Sequence, residues 1–164
     1  MNNYVYVGKI VNTHGIKGEL RIKSDFEKKS LVFIPGNILY IGKNYVPEEI
    51  TSYRVHKEFD MVTFKNYNNI NDVLKYLKED VYVTRESLKL DKNEYVMDDL
   101  IGMSIIDNKI NIGKVVDYVY NKANTLLVIS GKSNFYIPME ADYIKNVDLT
   151  KKIIETENAK ELIL

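Results

Sequence analysis

Apolar and polar positions alternate along most of this chain with a period near two, the mark of half-buried strands. Tyr4 to Val11 mixes β-branched and aromatic residues, and Glu19 to Lys23 sets Leu20 and Ile22 against Glu19, Arg21 and Lys23. Asn37 to Ile41 is a short apolar run, Gly42-Lys43-Asn44 turns the chain, and Tyr45-Val46 begins the return. Ile50 to Lys57 and Met61 to Lys65 follow as strands around a turn at Lys57-Glu58-Phe59-Asp60, and Val81-Tyr82-Val83 returns to strand. In the second half strands are predicted from Leu100 to Ile106, Ile112 to Tyr120, Thr125 to Ile129, Phe135 to Ile137 and Lys152 to Ile154. Asp107-Asn108-Lys109, Asn121-Lys122-Ala123-Asn124 and Gly131-Lys132-Ser133-Asn134 are the turns between the first four.

One stretch departs from this period. Ile70, Val73, Leu74 and Leu77 fall at i, i+3, i+4 and i+7, which predicts a helix that plugs one end of a barrel. Asn69 or Asn71 would cap its start, and Lys75 and Lys78 suit the dipole at its end. Glu86 to Glu94 is polar and without periodicity. It separates a first domain at 1–86 from a second at 95–164, with a linker at 87–94. Short strands with a turn roughly every ten residues predict small barrels, whose closure removes the edges that a domain with little core can least tolerate. The expected fold is mainly β: two small β-barrels, the first carrying one short helix.

Composition narrows the function. At 45% hydrophobic and 28% charged over 164 residues, the chain reads as a globular protein of one domain or two small ones. No apolar run approaches the roughly 18 residues of a membrane span. The start, M-N-N-Y-V-Y-V-G-K, lacks a cationic segment followed by an apolar one, so no signal peptide is expected and a cytoplasmic location is. Absence of cysteine removes disulfides and thiol chemistry, and His14 and His56 are too few for a histidine-rich metal site. No cofactor is expected. Neither G-x-x-x-x-G-K-[ST] nor G-x-G-x-x-G occurs.

Net charge is zero, but residues 1–90 hold 14 Lys and Arg against 11 Asp and Glu, and residues 91–164 hold 9 Lys against 12 Asp and Glu. A basic first half could sit near phosphate and an acidic second half could meet a basic protein; ordinary scatter gives the same numbers. Only Arg21, Arg54 and Arg85 among the 23 cations are arginines, which argues against bidentate base readout in DNA.

The segment Thr13-His14-Gly15-Ile16-Lys17-Gly18 joins the first two predicted strands. Its glycines supply backbone freedom, for a plain hairpin or for a shaped contact loop. Ile16, an isolated apolar residue at the tip, fits the contact reading better. Lys17 and Arg21, with Lys9 and Lys23, form either a phosphate-binding surface or a solvated charged face in which Glu19 intervenes. His14 either stacks on a base or fixes the loop through a backbone hydrogen bond.

Taken together, Gly8-Lys9-Ile10-Val11, His14-Gly15-Ile16-Lys17-Gly18-Glu19 and Arg21 resemble the N-terminal signature of the RimM family of small-subunit ribosome maturation factors. Asp99-Leu100-Ile101-Gly102, Gly113-Lys114-Val115 with Asp117, Ala123-Asn124 before Leu126-Leu127-Val128, Ile137-Pro138 and Val147-Asp148-Leu149 resemble its PRC-barrel domain, in the family's order. The resemblance implies a translation-factor-like barrel followed by a PRC barrel. It implies a non-enzymatic factor that binds the immature small subunit, assists late maturation of its head and rRNA processing, and contacts ribosomal protein nineteen. A monomer with no membrane partner is expected. The family often opens its PRC barrel with two adjacent aromatics that bind this protein; here the pair is Tyr95-Val96.

Expected contact residues for the ribosomal protein are Tyr95, Met97, Asp98, Leu100 and Tyr118, on a face made acidic by Asp98, Asp99, Asp107 and Asp117. Those for the subunit and its head rRNA are His14, Gly15, Ile16, Lys17, Gly18 and Arg21. Two other readings compete. A ribonuclease could use His56 with Lys57 or Glu58, and a structural PRC-barrel protein could serve a membrane complex. Asp98-Asp99 as a metal or catalytic pair is disfavoured, because neighbours on a strand point to opposite faces.

Overall fold

The computed structural model describes residues 3–120 and 124–163, and the chain divides after Leu90 into two compact units. The predicted turn residues Asn121, Lys122 and Ala123 lie outside the described residues.

In the first unit, β1 (Tyr4–His14), β2 (Glu19–Lys23), β3 (Ile38–Ile41), β4 (Val46–His56), β5 (Phe59–Phe64) and β6 (Asp80–Thr84) close a barrel in the order β1-β2-β5-β4-β3-β6. Every pairing is antiparallel. Alternation fills the inside: Val5, Val7, Leu20, Ile22, Leu39, Ile41, Val81 and Val83 are all buried. β4 is one strand where two pieces were expected. Pro47 lies near its start, where a missing N–H is tolerated.

The expected two-turn helix is shorter. Ile70–Val73 is α-helical (α1), Leu74–Tyr76 continues as a 3-10 turn, and Leu77 is extended. Asn69 caps α1 by accepting from the Asn71 N–H at 2.8 Å. Val73 and Tyr76 point inward, while Leu74 is 46% exposed. The tighter winding therefore exchanges the expected Val73–Leu74 stripe for Val73–Tyr76, since residues three apart eclipse in a 3-10 turn. Tyr76 packs edge-on against Phe64, and its hydroxyl donates to Glu48.

Residues 24–36, for which the pattern predicts no element, add a lobe to the core through Phe26, Val32 and Phe33. Lys29 and the Tyr53 hydroxyl both donate to the buried Asp60 carboxylate, at 2.8 and 2.6 Å. Burial and that carboxylate push the Tyr53 phenol up to about 12. The expected linker at 87–94 is divided: Glu86–Leu88 forms a 3-10 turn with Leu88 buried, so residues 87–90 belong to the first unit.

The second unit holds a six-stranded sheet of β7 (Ser104–Asp107), β8 (Ile110–Tyr120), β9 (Thr125–Ser130), β10 (Phe135–Pro138), β11 (Ile144–Asp148) and β12 (Ile153–Thr156), in the order β10-β9-β8-β7-β12-β11. Pairing is antiparallel except between β12 and β7. β11 has no counterpart in the alternation pattern, because its two apolar residues, Ile144 and Val147, are three apart across a bulge. Leu100, Ile105, Leu127, Ile129, Ile137 and Ile154 form the fully buried centre of its core. A closing 3-10 turn at Ala159–Leu162 packs against β10. Among the described residues no helix is long and apolar enough to cross a membrane.

Candidate functional site

On the first unit the hairpin between β1 and β2 narrows to four residues. His14 pairs with Glu19, and Gly15 to Gly18 make the turn with φ of +70 at Gly15 and +91 at Gly18. The tip is braced from behind. The Ile16 carbonyl accepts from the Ile70 N–H at 2.8 Å, and Gly18 lies so close to 67–69 that a Cβ would stand 2.9 Å from the Tyr67 carbonyl oxygen. Held by its backbone, Ile16 leaves its side chain 75% exposed. A shallow cavity of about 440 Å³ lies between His14, Gly15, Ile16, Lys17, Glu19 and Thr63.

Beside the loop, β2 and the β4–β5 hairpin bring charged groups together, because β2 pairs with β5. The Arg21 guanidinium lies 5.1 Å from the Phe59 ring centroid, with Nη2 3.0 Å from His14 Nδ1. Its Nε is buried with no hydrogen-bond partner, as is His56 Nδ1. The two histidine rings are 5.2 Å apart. Arg54 grips Glu19 through two bonds of 2.9 and 2.7 Å, which hold the Glu19 carboxyl below its ordinary range. The charge of Glu19, which sequence reading set against a basic patch, is thus engaged sideways. Partial burial, then Arg54, His14, Lys57 and Arg21, keep the His56 imidazole below its usual value and favour its neutral form.

His14, Ile16, Lys17 and Arg21 therefore gather with Gly15 and Gly18, as the sequence suggested. Lys9 and Lys23 do not join them. They pair with each other across the strands, five residues along β1 from His14 and so roughly 17 Å away. Arg54, His56 and Phe59 were missed as members of this surface. Their proximity follows from β2–β5 pairing, which no local spacing encodes.

On the second unit the expected contact residues separate by burial. Leu100 is fully buried and Met97 is 6% exposed, so both anchor the core and present almost no surface. They sit in a 3-10 turn, Met97–Leu100, and the strand expected to begin at Leu100 starts only at Ser104. Asp99 accepts from the Val96 N–H at 2.9 Å, and Asp98 accepts from the Tyr118 hydroxyl at 2.6 Å. The neighbouring carboxylates thus diverge because of turn geometry rather than strand alternation. Tyr118 packs edge-on to Tyr120 at 5.4 Å, and Tyr95, Tyr118 and Tyr120 lean half-buried on the core.

Asp107 is no part of an acidic face. It is 2% exposed and accepts from Thr156 Oγ1 at 2.9 Å and the Ala159 N–H at 3.1 Å. Asp98 and Asp117 are the members of that expected face that are exposed. Tyr120, packed against Tyr118, is a neighbour of this cluster that the sequence did not single out. Among the described residues no group of three His, Asp or Glu gathers as a metal ion would require.

Comparison with known proteins gives these surfaces a family. Residues 5–88 match the RimM N-terminal domain and residues 97–162 the RimM PRC barrel domain. The ribosome maturation factor RimM of Staphylococcus haemolyticus (strain JCSC1435) is 41% identical over 92% of this chain and 93% of its own. That of Staphylococcus aureus (strain NCTC 8325 / PS 47) is 42% identical over 93% of this chain and 95% of its own. Two domain matches in order, with relatives of this identity along nearly the whole length, place the chain in the RimM family.

Proposed function

We propose that this protein is a non-enzymatic ribosome assembly factor that binds the immature small subunit and assists late maturation of its head. The observation that carries the reading is the likeness, at 41–42% identity over more than nine-tenths of the chain, to proteins named as ribosome maturation factors. In this reading the first unit touches head rRNA through Ile16, Lys17 and the Arg21–His14 pair. Arg21 and Lys17 meet phosphate, and Ile16 fills an apolar gap. The second unit grips ribosomal protein nineteen with Tyr95 and Tyr118 as aromatic anchors and Asp98 and Asp117 as counter-charges. Binding favours the head conformation that offers both contacts, and release follows when maturation removes that difference in affinity.

Titration of the full chain against purified ribosomal protein nineteen at two salt concentrations tests this. Tyr95→Ala should weaken binding by about 1–3 kcal/mol while the fold is kept; a folded variant that binds as tightly as the parent refutes the assigned interface. The nearness of the two histidines is the feature a ribonuclease would share. Cleavage of small-subunit rRNA by the pure protein, lost in His56→Ala, would replace the assembly reading with an enzymatic one.

A further inference from the structure

We propose that the outward face of β1, β6 and β3 on the first unit is a docking surface for a short arginine-rich segment of a partner protein. The proposal is independent of the loop and of the second-unit contacts above. Tyr6, Tyr82 and Tyr40 stand opposite one another across three adjacent strands, Tyr6 paired with Tyr82 and Tyr82 with Tyr40. Their chain neighbours Val5, Val7, Val81, Val83, Leu39 and Ile41 occupy the inside of the barrel, so the tyrosines lie on its outer face.

Tyr4 and Tyr45 complete one connected network. Tyr45, at φ +51 in the β3–β4 turn, stacks on Tyr4 at 3.9 Å and within 5° of parallel, and meets Tyr82 edge-on at 4.9 Å. Tyr6 meets Tyr82 at 5.8 Å and Tyr4 meets Tyr40 at 5.2 Å. Five of the 13 tyrosines thus cover one face, and Tyr6 is 45% exposed. The core is already filled by the inward residues, so packing does not require aromatics here. Tyrosine is the side chain most enriched, with tryptophan and arginine, where binding energy concentrates.

Charge selects the occupant. Burial raises the Tyr6 and Tyr82 phenols most; the carboxylate of Asp80 raises both further, and that of Asp25 adds to Tyr6. Asp80 lies two residues before Tyr82 on the same face, with Lys9 as its cross-strand partner. Carboxylates beside aromatic rings repel a phosphate backbone and attract a guanidinium. Arginine can stack on a ring while pairing with a carboxylate, which lysine does less well.

The test titrates the full chain at about 0.15 M salt with a nonapeptide of alternating Arg and Gly, its Lys counterpart, and a nine-residue oligouridine. The chain has no tryptophan, so its intrinsic emission reports on tyrosine directly. Saturable binding of the Arg peptide is expected, with the Lys peptide about threefold weaker or more. Tyr6→Ala should weaken the Arg peptide about fivefold, and Asp80→Asn about threefold with the aromatic face intact. Equal binding of the Arg and Lys peptides, unchanged in both variants, overturns the proposal. So does a Tyr6→Ala effect confined to oligouridine, which would make this a nucleic-acid face. Tyr6-dependent self-association in place of peptide binding overturns it in favour of a second copy of this chain.

Discussion

Replacing Gly18 by alanine should loosen the hairpin tip far more than the same change at Gly15, although both sit at positive φ in one turn. At Gly18 the backbone has φ +91, and an added Cβ would stand 2.9 Å from the Tyr67 carbonyl oxygen and 3.3 Å from the Asn69 nitrogen. Left-handed backbone costs an alanine about 1–2 kcal/mol. The obstructing atoms are backbone and cannot rotate aside, so the loop must move away from 67–70. That movement breaks the Ile70 N–H to Ile16 carbonyl bond of 2.8 Å, a net loss of about 1 kcal/mol. The total is about 2–3 kcal/mol. Gly15 has φ +70 and open space around its Cβ position, so only the backbone term of about 1–2 kcal/mol applies. Urea unfolding gives the two costs, with the transition of the first unit fitted separately from that of the second. Hydrogen exchange at the Ile70 amide gives the mechanism: its protection should fall in Gly18→Ala and persist in Gly15→Ala. Equal costs, or an Ile70 amide as protected in folded Gly18→Ala as in the parent, would refute the brace. Association with immature subunits should follow the same order, because an unbraced Ile16 must be ordered on binding.

Asp107→Ala should destabilise the second unit by about 2–3 kcal/mol, since Thr156 and the Ala159 N–H lose a buried acceptor; thermal melting measures this, and a loss below about 0.5 kcal/mol would contradict the assigned role. His56 sits below its unfolded value, so between pH 7 and 5 the unfolded chain takes up more protons there and stability declines as pH falls. His56→Gln should flatten that part of the urea-midpoint profile, and an unchanged slope would exclude the assignment. Glu19 is depressed chiefly by Arg54, so its contribution is present above the unfolded carboxylate value and lost as pH falls through the folded one. Arg54→Ala should narrow the stability difference between pH 7 and pH 3, and a difference as wide as the parent's would show that the pair is thermodynamically silent. Lys17→Glu combined with Arg21→Glu should reduce association with immature subunits, more at low salt; equal association at low salt would remove rRNA contact from this surface.

What could be read from the sequence was what is local. Leu20 and Ile22 alternate with Glu19, Arg21 and Lys23, and the burial of β2 follows that pattern residue by residue. The β1–β2 turn was visible because two glycines interrupt two alternating runs. The contents of its surroundings were not. His56 and Phe59 meet His14 and Arg21 only through β2–β5 register, a long-range pairing to which neither segment's periodicity refers. Phe26, Val32 and Phe33 escaped notice because an irregular segment has no period, even when it is held by an ion pair from Lys29 to the buried Asp60. Asp107 was misread for a related reason. A carboxylate at a strand end ordinarily faces water, and here Thr156 on β12 and the returning 3-10 turn at Ala159 make it a buried acceptor. Met97 and Leu100 were expected as contact residues, whereas a 3-10 turn sends both inward.

Under the proposed function, a chain of zero net charge would bind RNA and a basic protein through order rather than through its field. A weak overall field gives little steering, so affinity must come from a few contacts whose geometry is set before binding. Arg21 is held between His14 and the Phe59 ring, and Tyr118 is tied to Asp98 and packed against Tyr120. Each has already given up rotamer freedom on folding, which spares about 0.5–1.5 kcal/mol per side chain at the moment of association. Lys17 is exposed at the loop tip and contributes mainly attraction at a distance, which salt screens. Ile16 combines the two situations: its backbone is fixed by Ile70 and its side chain is open to a partner. The residues that best suit binding here are therefore those whose positions the fold itself maintains.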